Sequence, residues 1–228
     1  MLSARHVHQW GSPWVDNFAI FPLSDDQRRL LYQATEKLDR NIIKKSEIFR
    51  SIWDAVDKYI SENGPVFFRL STASPKDVNM SKDHPTLCAT SAEYLFGIMV
   101  RSFRMMEELM DDEDFSLVLR KWDTRIKEDN EWRCFIIDRQ CIAISRMIDC
   151  SRPEEKTRGT IESYINKYKH LFPEDNLAID LVVGKEGEED DVIFIEFNTL
   201  DDELDCFGIF DHEGITYPQK LHRLTNRC

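Results

Sequence analysis

The chain has 228 residues, 42% of them hydrophobic and 32% charged, with only eight glycines and eight prolines. This composition excludes a disordered or fibrous chain and suits one globular domain or two lobes around a real core. A formal charge of −12 excludes general nucleic-acid binding, which needs a basic face, but leaves room for a local basic pocket or a basic protein partner. The six cysteines (Cys88, Cys134, Cys141, Cys150, Cys206, Cys228) form no CxxC pair, which argues against a zinc knuckle and for free thiols in a reducing compartment. The opening MLSARHVHQWGSPW has no apolar signal region and no run is long enough to span a bilayer, so a cytoplasmic protein without membrane contact is expected.

Residues 1–23 read as irregular, anchored by Trp10, Trp14, Phe18 and Phe21. His6 and His8 have metal-like H-x-H spacing, but without a third ligand they read as a polar segment. Ser24, Asp25 and Asp26 open a helix whose apolar stripe is Leu30, Leu31, Ala34 and Leu38. Ser46 opens a second, carrying Phe49, Ile52, Trp53, Val56 and Ile60, and Asn63-Gly64 ends it. PVFFRL (65–70) is a strand and STASPKD a polar loop. Residues 90–110 read as one helix, opened by a capping box at Thr90 and Glu93 and closed by the acidic EELMDDED. Strands are expected at 116–122, 131–137 and 141–145, the last two joined by a short hairpin at Asp138-Arg139-Gln140. A second capping box, Ser151 and Glu154, opens a helix running to about Phe172. The hairpin LAIDLVV, GKEGEEDD, VIFIEFN follows. This order of elements, rich in hairpins, predicts an α+β fold with mainly antiparallel sheets; GxGxxG and Walker A loops are absent.

The last hairpin concentrates the acidic chemistry. The period of two places Val192, Phe194, Glu196 and Asn198 on one face, with Glu196 and Asn198 roughly 6–7 Å apart. A symmetric hairpin sets Asp180 opposite Glu196. Two carboxylates that close repel unless a cation or proton lies between them, and with an amide oxygen they form a hard donor set suited to Mg²⁺. Arg69, Arg120, Lys121 and Arg133 lie on strands, where a charge is costly unless paired. Each suits a local carboxylate, while together they read as a cationic wall facing the Asp180–Glu196–Asn198 cluster, fit for a nucleotide triphosphate. Trp122 is either a cover for a purine face or a core residue.

FFRLSTASPKD, LVLRKW followed by EWRCFIIDRQCIAIS, and IDLVV…VIFIEFN resemble, in order, the motifs of the cell division cycle protein 123 family of the ATP-grasp superfamily. The resemblance covers most of the chain, and RKW followed by EWRCF is its most specific part. It implies an ATP-grasp-like domain over 1–228, with two lobes (20–115 and 116–212) enclosing a nucleotide cleft and a tail at 213–228. It places Arg69 on the phosphate-contacting lysine, Ser74 and Lys76 in the loop over the phosphates, and Arg120, Lys121 and Trp122 on the hinge strand at adenine. Arg133 falls on the arginine reaching the terminal phosphates, and Asp180, Glu196 and Asn198 on the Mg²⁺ ligands. The chain departs from the pattern at several positions. Ser71 and Thr72 stand for an asparagine and a tryptophan, Glu196 for an aspartate and Thr199 for a proline. Arg146-Met147-Ile148 replaces Gln-Arg-Asp. The chain is also shorter than the eukaryotic members, without their long acidic insert and most of their C-terminal tail. The implied function is that of a monomeric Mg²⁺-ATP-binding assembly factor, a chaperone for translation initiation factor 2 that binds its gamma subunit, with DDELD (201–205) as docking patch or as a solvated turn. The alternative is an ATP-grasp enzyme that activates a carboxylate as acyl phosphate and joins it to an amine or thiol, with Arg146 as a transition-state cation or a surface residue. A nucleotide-dead remnant is a third reading, which the intact Asp180, Glu196 and Asn198 oppose.

Overall fold

The computed structural model describes residues 7, 10–16, 18–78, 87–110, 115–127, 130–147, 151–184 and 192–200. His6 and His8, loop residues 185–191, the DDELD patch and the tail at 213–228 lie outside them. The chain packs as two compact units, Val15–Trp122, and Met1–Trp14 together with Asp123–Cys228. Each unit holds one four-stranded, wholly antiparallel sheet with helices, the α+β architecture expected. No helix among the described residues is long and apolar enough to cross a membrane.

In the Val15–Trp122 unit the strands are β1 (Phe18–Pro22), β2 (Val66–Leu70), β3 (Cys88–Ala89) and β4 (Ser116–Lys121), in the order β1-β4-β2-β3. The helices are α1 (Asp25–Glu36), α2 (Asn41–Lys44), α3 (Glu47–Asn63), α4 (Ala92–Met99) and α5 (Phe103–Met110). Strand parity sorts the sheet into two faces. Val66, Phe68, Leu70, Leu117 and Leu119 join the buried core with Leu31, Phe49, Val56, Leu95 and Phe96 from the helices. Phe18, Phe67, Arg69 and Arg120 have the opposite parity.

β1 lies in the stretch read as irregular. Its partner β4 is almost a hundred residues away, so no hairpin turn announces it. β4 in turn pairs with β1 and β2, so Ser116–Lys121, expected in the second lobe, packs with the first. α1 begins as read, with a reciprocal capping box between Ser24 and Gln27. It ends before Leu38, which is 68% exposed and outside the apolar stripe. Leu38 adopts φ 51° while the Asp39 amide returns to the Ala34 carbonyl, a left-handed exit that turns the side chain off the stripe. α3 matches its reading, stopping at Gly64 with φ 79°.

The single helix expected over 90–110 is two. Ser91, not Thr90, caps α4 by accepting the Tyr94 amide. Ser102 then starts α5: its hydroxyl accepts the Met105 amide and donates to Asp77, whose other carboxylate oxygen accepts the Arg104 amide. Asp77 ends the STASPKD motif, so one carboxylate ties that loop to a helix N-terminus. Partial burial works to raise its pKa, but the Ser102 hydroxyl and nearby backbone amides outweigh it and hold the carboxyl below its ordinary value. Asp77→Asn is therefore expected to cost about 1 kcal/mol at pH 7, at the modest end for a largely solvated cap. A carboxyl with a depressed folded pKa stabilises above its unfolded value and loses that contribution as pH falls. The gap between wild type and Asp77→Asn should persist through the ordinary carboxylate range and close only below it; urea unfolding at pH 7 and at about pH 2 checks it.

The other unit contains β5 (Glu131–Ile137), β6 (Gln140–Arg146), β7 (Leu177–Val183) and β8 (Val192–Asn198), in the order β6-β5-β7-β8, and α6 (Glu155–Tyr168). β5 and β6 are joined at Asp138 and Arg139, both with positive φ (48° and 60°), a two-residue turn matched to strand twist. α6 starts with Glu154 as N-cap and no side-chain cap, so the Ser151–Glu154 box does not form. Trp10 and Trp14, each 3% exposed, are the anchors expected. Both pack against Phe194 and Phe197 of β8, and Trp14 also meets Tyr164 and Tyr168 of α6. Cys88, Cys134 and Cys141 are free thiols, and burial, then the adjacent Cys141, pushes the Cys134 thiol well above its ordinary value.

Candidate functional site

The sheet of the second unit carries one continuous polar row. Ser145 of β6 pairs in register with Arg133 of β5, Arg133 with Asp180 of β7, and Asp180 with Glu196 of β8. Paired residues project to the same face, so four polar side chains cross a sheet of otherwise apolar strands. All are buried: Ser145 and Arg133 at 5% exposure, Asp180 at 0% and Glu196 at 6%. The juxtaposition of Asp180 and Glu196 read from hairpin symmetry is the observed register.

Arg133 grips Asp180 with a two-pronged pair: Nε donates to Oδ1 at 2.8 Å and Nη2 to Oδ2 at 2.7 Å. Asn198 Nδ2 donates to Oδ2 at 3.0 Å. Asp180 thus has hydrogen bonds on three of a carboxylate's roughly four lone-pair sites, which leaves a position on Oδ1. Asn198 commits its nitrogen and keeps its carbonyl oxygen as acceptor. Two buried carboxylates beside an amide oxygen are a hard donor set, and they fit a Mg²⁺ ion with Asp180 as the most constrained member. Among the described residues no group of three or more His, Cys, Asp or Glu side chains could hold a metal.

The geometry of β8 depends on a bulge. Asp180 pairs with Glu196 but Leu181 with Phe194, so Ile195 is an extra residue. Strict alternation puts Phe194 on the face of Glu196 and Asn198. The bulge moves it instead to the face of Phe197, whose ring lies 4.7 Å away centroid to centroid. The bulge thereby separates the aromatic face from the carboxylate face within one strand. Ser145 escaped the sequence reading for a similar reason. Symmetry about the Asp138–Arg139 turn sets Ile144 opposite Arg133, but β6 carries an extra residue at Ile142 that shifts Ser145 into the row. Its Oγ is buried and without a hydrogen-bond partner. Arg146 has the opposite parity and lies over the Trp132 ring at 5.2 Å.

In the Val15–Trp122 unit the candidates divide. Arg69 (5% exposed) and Arg120 share one face of the sheet. Arg120 sits between Phe18 and Phe67, its register partners, with its guanidinium 5.5 and 5.6 Å from their rings. Lys121 has the other parity and is exposed at the strand end, so it does not stand in line with Arg69 and Arg120. Trp122 is half-buried, its amide bonded to the Pro65 carbonyl at 2.8 Å. In the STASPKD loop Ser74 is 3% exposed with an unpartnered Oγ, whereas Lys76 is exposed.

Comparison with known proteins agrees with this fold. A protein named Cell division cycle protein 123 from Yarrowia lipolytica is 26% identical over 180 residues, covering 72% of this chain and 47% of that protein. The Translation initiation factor eIF2 assembly protein of Dictyostelium discoideum is 27% identical over 184 residues, covering 72% of this chain and 46% of that protein. The chain spans about half the length of these curated relatives. The solved structure of C-terminally truncated Cdc123 from Schizosaccharomyces pombe has the same fold, with a TM-score of 0.68 at 18% identity, covering 89% of this chain and 86% of that one. The D123 family model matches residues 22–223, nearly the whole chain, and the chain therefore belongs to the D123 family.

Proposed function

We propose that this D123-family protein binds Mg²⁺-ATP and, in the cytoplasm and as a monomer, assists assembly of translation initiation factor 2 through its gamma subunit. The observation that carries the nucleotide part is the buried row Ser145–Arg133–Asp180–Glu196 with Asn198 beside it. A row of buried charge costs stability, and such a row is kept where it serves a ligand or specifies the fold. In this reading Glu196, the Asn198 oxygen and the open position on Asp180 hold Mg²⁺, which neutralises phosphate charge when bound. Arg69, Ser74 and Lys76 contact phosphate, Arg120 and Trp122 serve the base, and Arg133 acts first by holding Asp180 in place; Lys121, off the face of Arg69 and Arg120, has no part in it. The partner part is supported by the name of the Dictyostelium relative, an eIF2 assembly protein. The acyl-phosphate alternative asks Arg146 for a transition-state cation, yet its guanidinium lies over Trp132 on the opposite face, and we adopt binding rather than turnover.

Isothermal titration of ATP with and without Mg²⁺ tests the nucleotide part, with metal-dependent binding expected and no heat in either condition overturning it. Capture by immobilised gamma subunit tests the partner part. It should weaken when Asp201, Asp202 and Asp205 are neutralised, and no capture by the unaltered chain refutes that part.

A further inference from the structure

The loop after β2 is unusual in being irregular yet fully buried. Ser71, Thr72, Ala73, Ser74 and Pro75 are all buried, with Thr72 at 8% and Ser74 at 3% exposure. Its frame is rigidly bonded. The Leu70 amide donates to the Ala73 carbonyl at 2.9 Å, and the Ser71 amide donates to the Ser116 carbonyl at 2.8 Å. The Ser116 amide returns to Ser71 Oγ at 3.3 Å, and the Lys76 amide donates to the Ser74 carbonyl at 2.8 Å. Ser71 thereby has a structural task, stapling the loop to β4.

Thr72 and Ser74 have none. Thr72 Oγ1 and Ser74 Oγ are both buried and without a hydrogen-bond partner. The amides of Thr72, Ala73 and Ser74 likewise donate to no group among the described residues. A buried polar group left unmade costs far more than a made bond returns, so native chains rarely leave two hydroxyls in this state two residues apart. What the loop offers is donors: two hydroxyls and successive backbone amides. Unpaired amides and hydroxyls are donors from which an anion can accept hydrogen bonds. Ser74 is already assigned to phosphate by the reading above; Thr72 is not.

We propose that Thr72 is a second hydroxyl contact to a bound phosphoryl group, acting with Ser74 as a donor pair. The inference rests on the Mg²⁺-ATP reading and deepens it. Unlike a merely structural threonine, Thr72 carries a hydroxyl that burdens the ligand-free protein and serves only the complex. Thr72→Val keeps the shape and removes the hydroxyl, and Thr72→Ser keeps the hydroxyl.

Mg²⁺-ATP and inorganic tripolyphosphate are titrated into the unaltered chain and both variants, and the melting temperature of each is measured without ligand. Thr72→Val should bind both probes about tenfold or more weakly, as expected for a lost hydrogen bond to a charged group. Its ligand-free melting temperature should be equal to or above that of the unaltered chain. Thr72→Ser should bind both probes within about threefold of the unaltered chain. If the unaltered chain binds neither probe, the Mg²⁺-ATP reading falls and this inference with it. If it binds both and Thr72→Val binds within about twofold, the reading stands and Thr72 has no part in it. A ligand-free melting temperature several degrees lower in Thr72→Val would show that the hydroxyl serves the fold, through protein or buried water, and would overturn the inference.

Discussion

Replacing Glu196 by alanine is expected to remove the Mg²⁺ dependence of ATP binding while leaving the fold intact. Asp180 and Glu196 are adjacent in register, but they are not equivalent. Asp180 is wholly buried and carries hydrogen bonds from Arg133 and Asn198, so it has little left to give a metal. Glu196 is one strand further along the row, near the sheet edge and slightly more exposed. With Asn198 two residues on, it supplies most of the coordination in the proposed site. Loss of a metal ligand commonly costs metal affinity 10–100-fold or more, on the order of the effect of losing its supporting partners. Titration of ATP into Glu196→Ala should give nearly the same affinity with and without millimolar Mg²⁺. An unchanged metal dependence would remove Glu196 from the site.

Arg133→Met should destabilise the protein by about 3–5 kcal/mol, the range for breaking a buried ion pair from one side. The guanidinium is 5% exposed and its partner Asp180 is 0% exposed, so removing it leaves a carboxylate with neither water nor cation. The double variant Arg133→Met/Asp180→Leu should recover most of that loss, since apolar replacement of a whole buried pair is often neutral or stabilising. The coupling between the two sites, read from urea unfolding of the four proteins in the cycle, should exceed about 2 kcal/mol. Additive effects would mean that the pair is not the partnership its geometry indicates. The double variant should also lose Mg²⁺-ATP binding while remaining folded, which separates a role in stability from a role in the site.

Much of the fold was legible because its signals are local. Ser24 with Gln27 and Ser46 with Gly64 mark helix ends within a few residues of the groups they satisfy. The alternation in LAIDLVV and VIFIEFN is likewise a property of each segment alone. The single helix over 90–110 failed because its stop is not local: Ser102 and Asp77, 25 residues apart, build the α5 cap together. β1 failed because a five-residue edge strand takes its identity from β4.

The main strands of the two antiparallel sheets, the Asp180–Glu196 juxtaposition and the candidate donor set can be read from the residues, since a hairpin carries its own register in the spacing about its turn. Tertiary structure alone decided how that set is arranged. Pairing of β5 with β7 aligns Arg133 with Asp180 across 47 residues. The extra residues at Ile142 and Ile195 bring Ser145 into the row and turn Phe194 out of it. Parity takes Lys121 away from Arg69 and Arg120. Each depends on which strands become neighbours and where one residue bulges. A single-residue shift reverses every face beyond it, and composition and periodicity along one strand hold no record of the strand beside it.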